Sequence, residues 1–155
     1  MKTRLALFVL LLASLAGCAG LMGHDSDPQV LTAKTASKVH QREWNLRTMT
    51  VDGRQVVMDI DSRISIRFDA GGQVTGFASV NRFSGTYSLS EDGKLIWEKP
   101  GVAATRKAGP PELMEKERVF LGALDKTSAA ILSSRMLQLQ SDDSTTIFTF
   151  KEAGY

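Results

Sequence analysis

From residue 44 onward, apolar and polar residues alternate with a period of two, and this pattern constrains the fold more than any other feature of the chain. In the segment ISIRF, Ile64, Ile66 and Phe68 share one face of a strand and polar residues occupy the other. Runs rich in glycine, aspartate and serine interrupt the alternation. The predicted strands are WNL, ISIRF, QVTGFASVN, RFSGTYSLS, KLIWEK, MLQLQ and TTIFTFK. The pattern predicts a mainly antiparallel sheet, either a small open barrel or a sandwich-like sheet.

One segment has the features of a helix instead. The pair Pro110–Pro111 suits a helix start, and acidic residues follow in the first turn, where the helix dipole favours them. An apolar stripe at helical spacing is made of Leu113, Met114, Phe120, Leu121 and Leu124. The sequence therefore predicts an α+β fold, mainly antiparallel β, with one helix near residues 111–126.

Glu117 lies at the centre of this apolar stripe. A carboxylate there is costly to bury unless it is paired or hydrogen-bonded. We expect Glu117 to form an ion pair that fixes the helix to the sheet, with Arg106 or Arg82 as its partner. Two alternatives stay open: a carboxylate with a perturbed pKa in a pocket, or a rotated helix that leaves Glu117 exposed.

The N-terminus has a different composition from the rest of the chain. A short basic start precedes the apolar run LALFVLLLASL at residues 5–15, which is typical of a secretory signal and too short to span a bilayer. The sequence LAGC, ending at Cys18, matches the lipobox of bacterial lipoproteins. This resemblance implies cleavage before Cys18, diacylglycerol on its thiol and acylation of the new N-terminus. Because Ala19 follows, the resemblance implies the periplasmic face of the outer membrane.

The chain divides into three parts on this interpretation. Residues 1–17 are the predicted signal peptide. Residues 18–40, which begin with the lipidated Cys18, are mostly small and polar and are predicted to form a flexible tether. A short helix around residues 29–39 is the alternative for its second half. The folded domain is expected to occupy residues 41–155.

Charge and residue usage argue against several classes of function. The full chain has 19 Lys+Arg and 17 Asp+Glu, and removing residues 1–17 takes away two basic residues and no acid, so the mature chain is formally neutral. Neutrality gives no reason to expect nucleic-acid binding. From residue 41 on there is no His and no Cys, which removes Ser-His-Asp and Cys-His nucleophile systems and ordinary His or Cys metal ligation. We therefore expect no enzyme activity, no cofactor and no metal site.

The segment GFASVNRFSGTY at residues 76–87 fits either an active-site loop or two strands joined by a turn. Its aromatic residues are expected in the sheet and core: Phe77, Phe83 and Tyr87. Gly76 and Gly85 predict close approach of neighbouring groups or a bulge. Asn81 is predicted to be a turn residue, because Asn tolerates left-handed geometry. The alternative is a binding surface around Asn81 and Arg82.

Four segments together resemble the META domain, including the heat-shock-associated HslJ lipoproteins of bacterial envelopes. They are EWNL, ISIRFDAGGQVTGFASVNRFSGTYSL, AATRKAGPPELMEKERVFLGAL and the C-terminal pair LQLQ and TIFTF. The resemblance covers about residues 41–152. It implies a compact, mostly antiparallel β domain with one helix and an association with stress response, and it implies no catalytic mechanism.

The sequence departs from this family at two positions. The family commonly has cysteines where this chain has Val80 and Gly109. The loss of both implies that the two positions act together, as neighbours or as a disulfide. The resemblance therefore predicts that the Asn81 turn lies close to the Arg106 segment.

Two functions remain open at this point. The first is a lipid-anchored, stress-linked interaction module that supports the outer membrane or an envelope protein partner. The second is a small-ligand or lipid carrier, similar to a pilot lipoprotein, with an apolar cavity in the mouth of the sheet. A wide apolar cavity open to solvent favours the carrier, and a filled interior counts against it.

Overall fold

The structure, a computed structural model, describes residues 27–154. This part of the chain contains one α-helix, α1 (Pro111–Leu124), and a short 3-10 helix at Ala36–Lys38. The strands are β1 (Gln29–Val30), β2 (Glu43–Val51), β3 (Arg54–Val56), β4 (Ile64–Phe68), β5 (Gln73–Ala78), β6 (Asn81–Leu89), β7 (Leu95–Trp97), β8 (Ala103–Ala104), β9 (Ala129–Ser133), β10 (Met136–Gln140) and β11 (Ile147–Glu152).

Nine of these strands follow one another in a single curled sheet, in the order β1-β9-β10-β11-β2-β4-β5-β6-β7. β3 pairs with β2, and β8 pairs with β6, and all the strand pairs are antiparallel. The two ends of the sheet approach each other, because Lys94, just before β7, bridges to Ala129 of β9. The predicted α+β fold is confirmed, and its mainly antiparallel sheet forms a half-barrel.

The period of two in the sequence places one face of each strand inside the curl. In β4, Ile64, Ile66 and Phe68 are buried, whereas Arg67 between them is exposed. The same alternation in β10 buries Leu137 and Leu139. Strands with this alternation contribute apolar side chains to the core and polar side chains to the outer surface.

The helix α1 packs its apolar stripe into the open side of the curl. It begins at Pro111, as predicted, and ends at Leu124, two residues before the predicted end. Phe120 is fully buried, and its ring meets three others edge-on at centroid distances between 5.2 and 6.5 Å: Phe83, Phe148 and Phe150. Within residues 27–154, no helix has the length and apolar character that crossing a membrane requires.

The interior of the curl is filled with large side chains. The largest fully buried ones are Trp44, Phe120, Phe148, Phe150, Leu31, Met49, Ile66, Leu124, Leu137, Leu139, Val39 and Val74. Closely packed interiors contain few voids larger than a water molecule. This filled interior counts against the carrier alternative, which needs a wide apolar cavity in the mouth of the sheet.

Residues 29–40 are folded onto the sheet, so the prediction that this segment belongs to a flexible tether is wrong. β1 pairs with β9, and Leu31 and Val39 are at most 2% exposed. The indole N–H of Trp44 donates to the Val39 carbonyl oxygen at 3.3 Å. Leu31 and Val39 do not follow a helical or strand period in the sequence. Both are buried in the core, and their burial holds residues 29–40 against the sheet. The rest of the predicted tether and the signal peptide, residues 1–26, lie outside the described residues.

Candidate functional site

Glu117 is buried, as predicted, but its partners are amide groups instead of a cation. Its Oε2 accepts the backbone N–H of Asn81 at 2.7 Å, and its Oε1 accepts the side-chain Nδ2 of Asn81 at 2.7 Å. The backbone N–H of Val80 also reaches Oε2, at 3.3 Å. Arg82 and Arg106 are exposed, and among the described residues neither forms a salt bridge with Glu117. The predicted ion pair is wrong because the N–H groups between β5 and β6 satisfy the carboxylate.

Asn81 begins β6 and does not form the turn that precedes it. The turn between β5 and β6 is Ser79–Val80, and Ser79 has the positive φ of 73°. Asn81 pairs with Ala78 across the two strands and is 1% exposed. The prediction of Asn81 as a left-handed turn residue is therefore wrong, because its side chain is turned inward to bond other segments.

The Asn81 side chain joins β6 to the segment before α1. Its Oδ1 accepts hydrogen bonds from Thr105 Oγ1 and from the Lys107 backbone N–H, both at 2.7 Å. Its Nδ2 donates to the Lys107 carbonyl oxygen at 3.1 Å, in addition to Glu117. The hydrogen-bonding capacity of this amide is fully used. The predicted proximity of Asn81 and the Arg106 segment is confirmed.

Val80 and Gly109, the positions that commonly hold cysteines in the family named above, are direct neighbours. A Cβ placed on Gly109 would lie 3.4 Å from the Val80 Cβ and 2.8 Å from its two methyl carbons. This Cβ separation is close to the range of about 3.5–4.5 Å that disulfides require. The expectation that the two positions act together is confirmed as a contact, and here valine occupies the space beside the glycine.

We use the name amide clamp for the hydrogen-bonded cluster of Glu117, Asn81, Val80, Thr105 and Lys107. It holds α1 against the start of β6 and against the segment that leads into the helix. Its carboxylate and its side-chain amide already have hydrogen-bond partners within the domain. Within residues 27–154, no group of three or more His, Cys, Asp or Glu side chains is arranged to hold a metal ion.

A second polar feature is a groove of about 1470 Å³ on the outer face of the sheet. Its floor is formed by β2, β4, β5 and β6, where the half-buried Phe77 lies between Ser65 and Arg82 in the strand register. One wall is the loop at residues 58–63, and the other is β8 with Thr105. We call it the arginine groove, because four arginines line it: Arg47, Arg63, Arg67 and Arg82.

The four arginine side chains of the groove are exposed. Among residues 27–154, their guanidinium groups form no salt bridge and no hydrogen bond. Two acids also line the groove: Glu43 lies opposite Arg67 in the register of β2 and β4, and Asp59 forms a salt bridge with Lys116. The groove therefore keeps an excess of positive charge.

The structure brings some of the predicted site residues together and separates others. Asn81 and Glu117 meet in the amide clamp, Arg82 lines the groove, and Arg106 is exposed without lining it. Cys18 lies outside the described residues. Sequence reasoning missed Arg47, Arg63 and Arg67. The sequence shows that an arginine lies at an outward position of a strand. It does not show the strand order β2-β4-β5-β6, which brings these arginines together.

A third polar contact holds the N-terminal segment against the sheet. The Tyr87 hydroxyl donates to the Asp69 carbonyl oxygen at 3.0 Å, and His40 Nε2 lies 3.0 Å from the same hydroxyl. Burial, and to a smaller extent the Asp69 carboxylate, raise the pKa of Tyr87 from 10.0 to about 12. His40 thus belongs to the folded domain.

Comparison with known proteins agrees with this architecture. The model of the META domain family matches residues 37–154. An NMR structure of a protein from Burkholderia xenovorans is similar, with a TM-score of 0.63 and 23% identity, covering 84% of this chain and 94% of that one. A DUF4847 family protein from Bacteroides vulgatus has a TM-score of 0.55 and 15% identity, covering 74% and 94%. At these identities the two structures show a shared fold. No curated protein matches the chain.

Proposed function

Because the chain belongs to the META domain family, we propose that it is a lipid-anchored envelope protein whose domain is a non-catalytic interaction module. The module supports the outer membrane or an envelope protein partner under stress such as heat shock. The arginine groove carries this proposal, since it is a broad, positively charged surface whose guanidinium groups have no partner within residues 27–154.

The amide clamp supports a non-catalytic role for the domain. Catalytic sites typically hold titratable groups with free access to a substrate. Glu117 is buried and accepts hydrogen bonds from Asn81 and Val80, and the Asn81 amide has no unused donor or acceptor. This buried polar cluster is thus structural, whereas the groove is a polar surface that solvent and a partner can reach.

Cys18 supports the membrane anchor. It is the chain's one cysteine and ends the lipobox-like sequence LAGC. Stable anchoring takes more than one acyl chain, and diacylglycerol with an acylated N-terminus meets that requirement. Residues 19–28 separate Cys18 from β1, and ten residues in extended form reach at most about 36 Å. Such an anchor keeps the groove near the periplasmic face of the outer membrane.

The test is a pull-down of the tagged, lipidated protein from mildly crosslinked envelopes, with mass spectrometry for proteins and for lipids. We expect one envelope protein to be enriched with the wild-type chain and to be lost with the exported Cys18→Ser variant. Recovery of a lipid or a small molecule without any protein contradicts the proposal and favours the alternative function, a small-ligand or lipid carrier.

A second readout separates the anchor from the domain. Cys18→Ser, exported and stable in the periplasm, is expressed in a deletion strain under envelope stress. We expect it to complement poorly, because the domain is no longer held at the membrane. Full complementation by this variant shows that the anchor has no part in the function.

A further inference from the structure

We infer that the arginine groove receives an extended, acidic peptide segment of the partner protein. This inference rests on the proposed function, because it names the chemistry of the partner that the module binds. Guanidinium groups pair with carboxylates in a planar, two-point geometry, and four of them line the groove without any partner among residues 27–154.

The spacing of the arginines fits a linear ligand. Arg63 and Arg67 are four residues apart along the β4 segment, which is about 13 Å in an extended chain. Arg67 and Arg82 lie two strands apart and are displaced by two residues in the register, which gives about 12 Å between their Cα atoms. An extended peptide presents side chains i and i+4 on one face at about 13 Å. Arg82 is level with Ser65, midway between Arg63 and Arg67 along the strand direction. Acidic residues at i, i+2 and i+4 of a peptide that runs parallel to β4 are therefore level with Arg63, Arg82 and Arg67 in turn.

The distribution of these charges argues against a single phosphate or a free carboxylate as the ligand. A site for one small anion gathers its cationic groups around one point. Here Arg63, Arg67 and Arg82 are separated by about 12–13 Å between Cα atoms, on both sides of the half-buried Phe77 of the floor. A chain with several negative charges and apolar or aliphatic parts between them uses both the guanidinium groups and this ring.

The walls of the groove favour a polypeptide. β8 forms one wall and pairs only with β6 within the described part of the sheet, so its other edge is unpaired. That edge points away from β6 and the floor, so it offers backbone hydrogen bonds to the part of an extended peptide that passes over this wall. The opposite wall, at residues 58–63, includes Ile60, which is 96% exposed and adds apolar surface beside the charges.

The test uses the mature, full-length protein in detergent micelles and a fluorescent ten-residue peptide that alternates glutamate with threonine. We expect saturable binding in fluorescence anisotropy that weakens as salt is added. The double variant Arg67→Gln/Arg82→Gln is expected to bind about 100-fold more weakly, since each charged hydrogen-bonded pair contributes on the order of ten-fold. A peptide with glutamine in place of glutamate is expected not to bind.

The matched control is Arg118→Gln/Arg135→Gln, which removes the same charge from exposed positions outside the groove. It is expected to keep the wild-type affinity. Equal weakening by both double variants overturns the inference, because binding then follows net charge alone. Binding to vesicles with anionic phosphatidylglycerol, or to inorganic phosphate, without binding to the peptide also overturns it.

This test is independent of the test of the proposed function. The peptide assay needs neither the anchor nor the native partner. If the peptide fails to bind while the anchored protein still enriches an envelope protein, the inference about the groove is wrong and the proposed function stands. If no envelope protein is enriched, the proposed function fails whatever the result with the peptide.

Discussion

Both carboxylate oxygens of Glu117 are bonded to Asn81, one through the backbone N–H and one through the side-chain amide, each at 2.7 Å. The two residues are 36 positions apart in the chain, and the contact is buried. Hydrogen bonds to a buried carboxylate are stronger than those between neutral groups. This pair therefore fixes where α1 sits on the start of β6.

Replacing Glu117 is expected to destabilise the domain strongly. Glu117→Gln turns one acceptor into an NH₂ donor that faces amide donors of Asn81 or Val80, which costs about 2–4 kcal/mol of unfolding free energy. Glu117→Leu leaves all these donors without an acceptor and is expected to cost at least as much. Urea unfolding followed by circular dichroism measures both variants.

Glu115→Gln is the control for the variants of Glu117. Glu115 is on the same helix, but it is exposed and bonded to Arg118. Its replacement is expected to leave the unfolding midpoint unchanged, since exposed ion pairs contribute little. An unchanged midpoint for both variants of Glu117 contradicts a structural role for the clamp.

The sequence predicted the strands whose two faces differ in polarity. β4 was predicted with its bounds, because Ile64, Ile66 and Phe68 face the core while the residues between them face solvent. β9 was missed, because AAILS at residues 129–133 has no alternation of apolar and polar residues, and all its residues except the buried Ala130 are half-buried. β1 and β8 have two residues each, so their pairing depends on distant partners that no local pattern encodes.

The candidate site was predicted in part for a similar reason. The burial of Glu117 follows from its place in the helical stripe, but its partner depends on which strand the helix covers. The nearest cations in the sequence are exposed, and the carboxylate is satisfied by backbone and side-chain amides of Val80 and Asn81. The cations nearest in sequence are therefore a poor guide to the partner of a buried carboxylate where a turn supplies free N–H groups.

Adding a methyl group at Gly76 is expected to be severely destabilising. A Cβ there would lie 2.2 Å from the Ser65 carbonyl oxygen and 2.5 Å from two ring carbons of Phe83. Neither the hydrogen-bonded backbone of Ser65 nor the buried ring of Phe83 can move away from the added methyl group. Gly76→Ala is therefore expected to lower the free energy of unfolding by about 3 kcal/mol or more. Differential scanning calorimetry of the purified domain measures the loss.

Gly122 provides the opposite control for this substitution. It lies in α1, is exposed, and a Cβ there would meet nothing within 4 Å. Gly122→Ala is expected to stabilise the protein by about 0.5–1 kcal/mol, because alanine favours the helix. Similar effects at Gly76 and Gly122 are incompatible with a close approach of β4 and β5 at Gly76.

A disulfide is expected to form readily between residues 80 and 109. In a Cys18→Ser background, the pair Val80→Cys and Gly109→Cys has Cβ atoms 3.4 Å apart, close to the range of about 3.5–4.5 Å for disulfides. Closing a loop of about 30 residues is expected to stabilise the oxidised protein by about 3.5 kcal/mol. Unfolding midpoints with and without reductant, together with a free-thiol assay, measure the effect.

The single variants test the geometry of this disulfide. Gly109→Cys alone places its Cβ 2.8 Å from the Val80 methyl carbons, so it is expected to lower stability. Adding Val80→Cys removes that contact and is expected to rescue it. Free thiols that persist in the double variant after mild oxidation show that the two segments are not neighbours.

Tyr87 is expected to ionise well above the ordinary range of a tyrosine. Burial raises its folded-state pKa to about 12, so the neutral form is favoured by folding. The resulting stability is complete below pH 10.0, the ordinary value, and is lost as the pH rises through about 12. Phenolate absorbance during an alkaline titration, with unfolding followed in parallel, measures the transition.

Tyr87→Phe assigns this transition, because the chain contains two tyrosines and the variant leaves Tyr155 alone. The transition near pH 12 is expected to be absent from the titration of the variant, so the difference between the two titrations isolates Tyr87. The variant also loses the hydroxyl contacts with Asp69 and His40. If wild-type Tyr87 ionises near pH 10.0, its hydroxyl is not held in the buried contact.

The pairing of β2 with β11 joins the start of the domain to its end, from Trp44 opposite Glu152 to Thr50 opposite Ile147. A chain emerges from a ribosome or a translocation pore N-terminus first. About a hundred more residues must therefore emerge after β2 before its main partner, β11, is available for pairing. Until then, a strand edge and the indole of Trp44 are uncovered, which invites aggregation. The domain is thus completed by its last strand, and a chain that ends before residue 147 has no closed core.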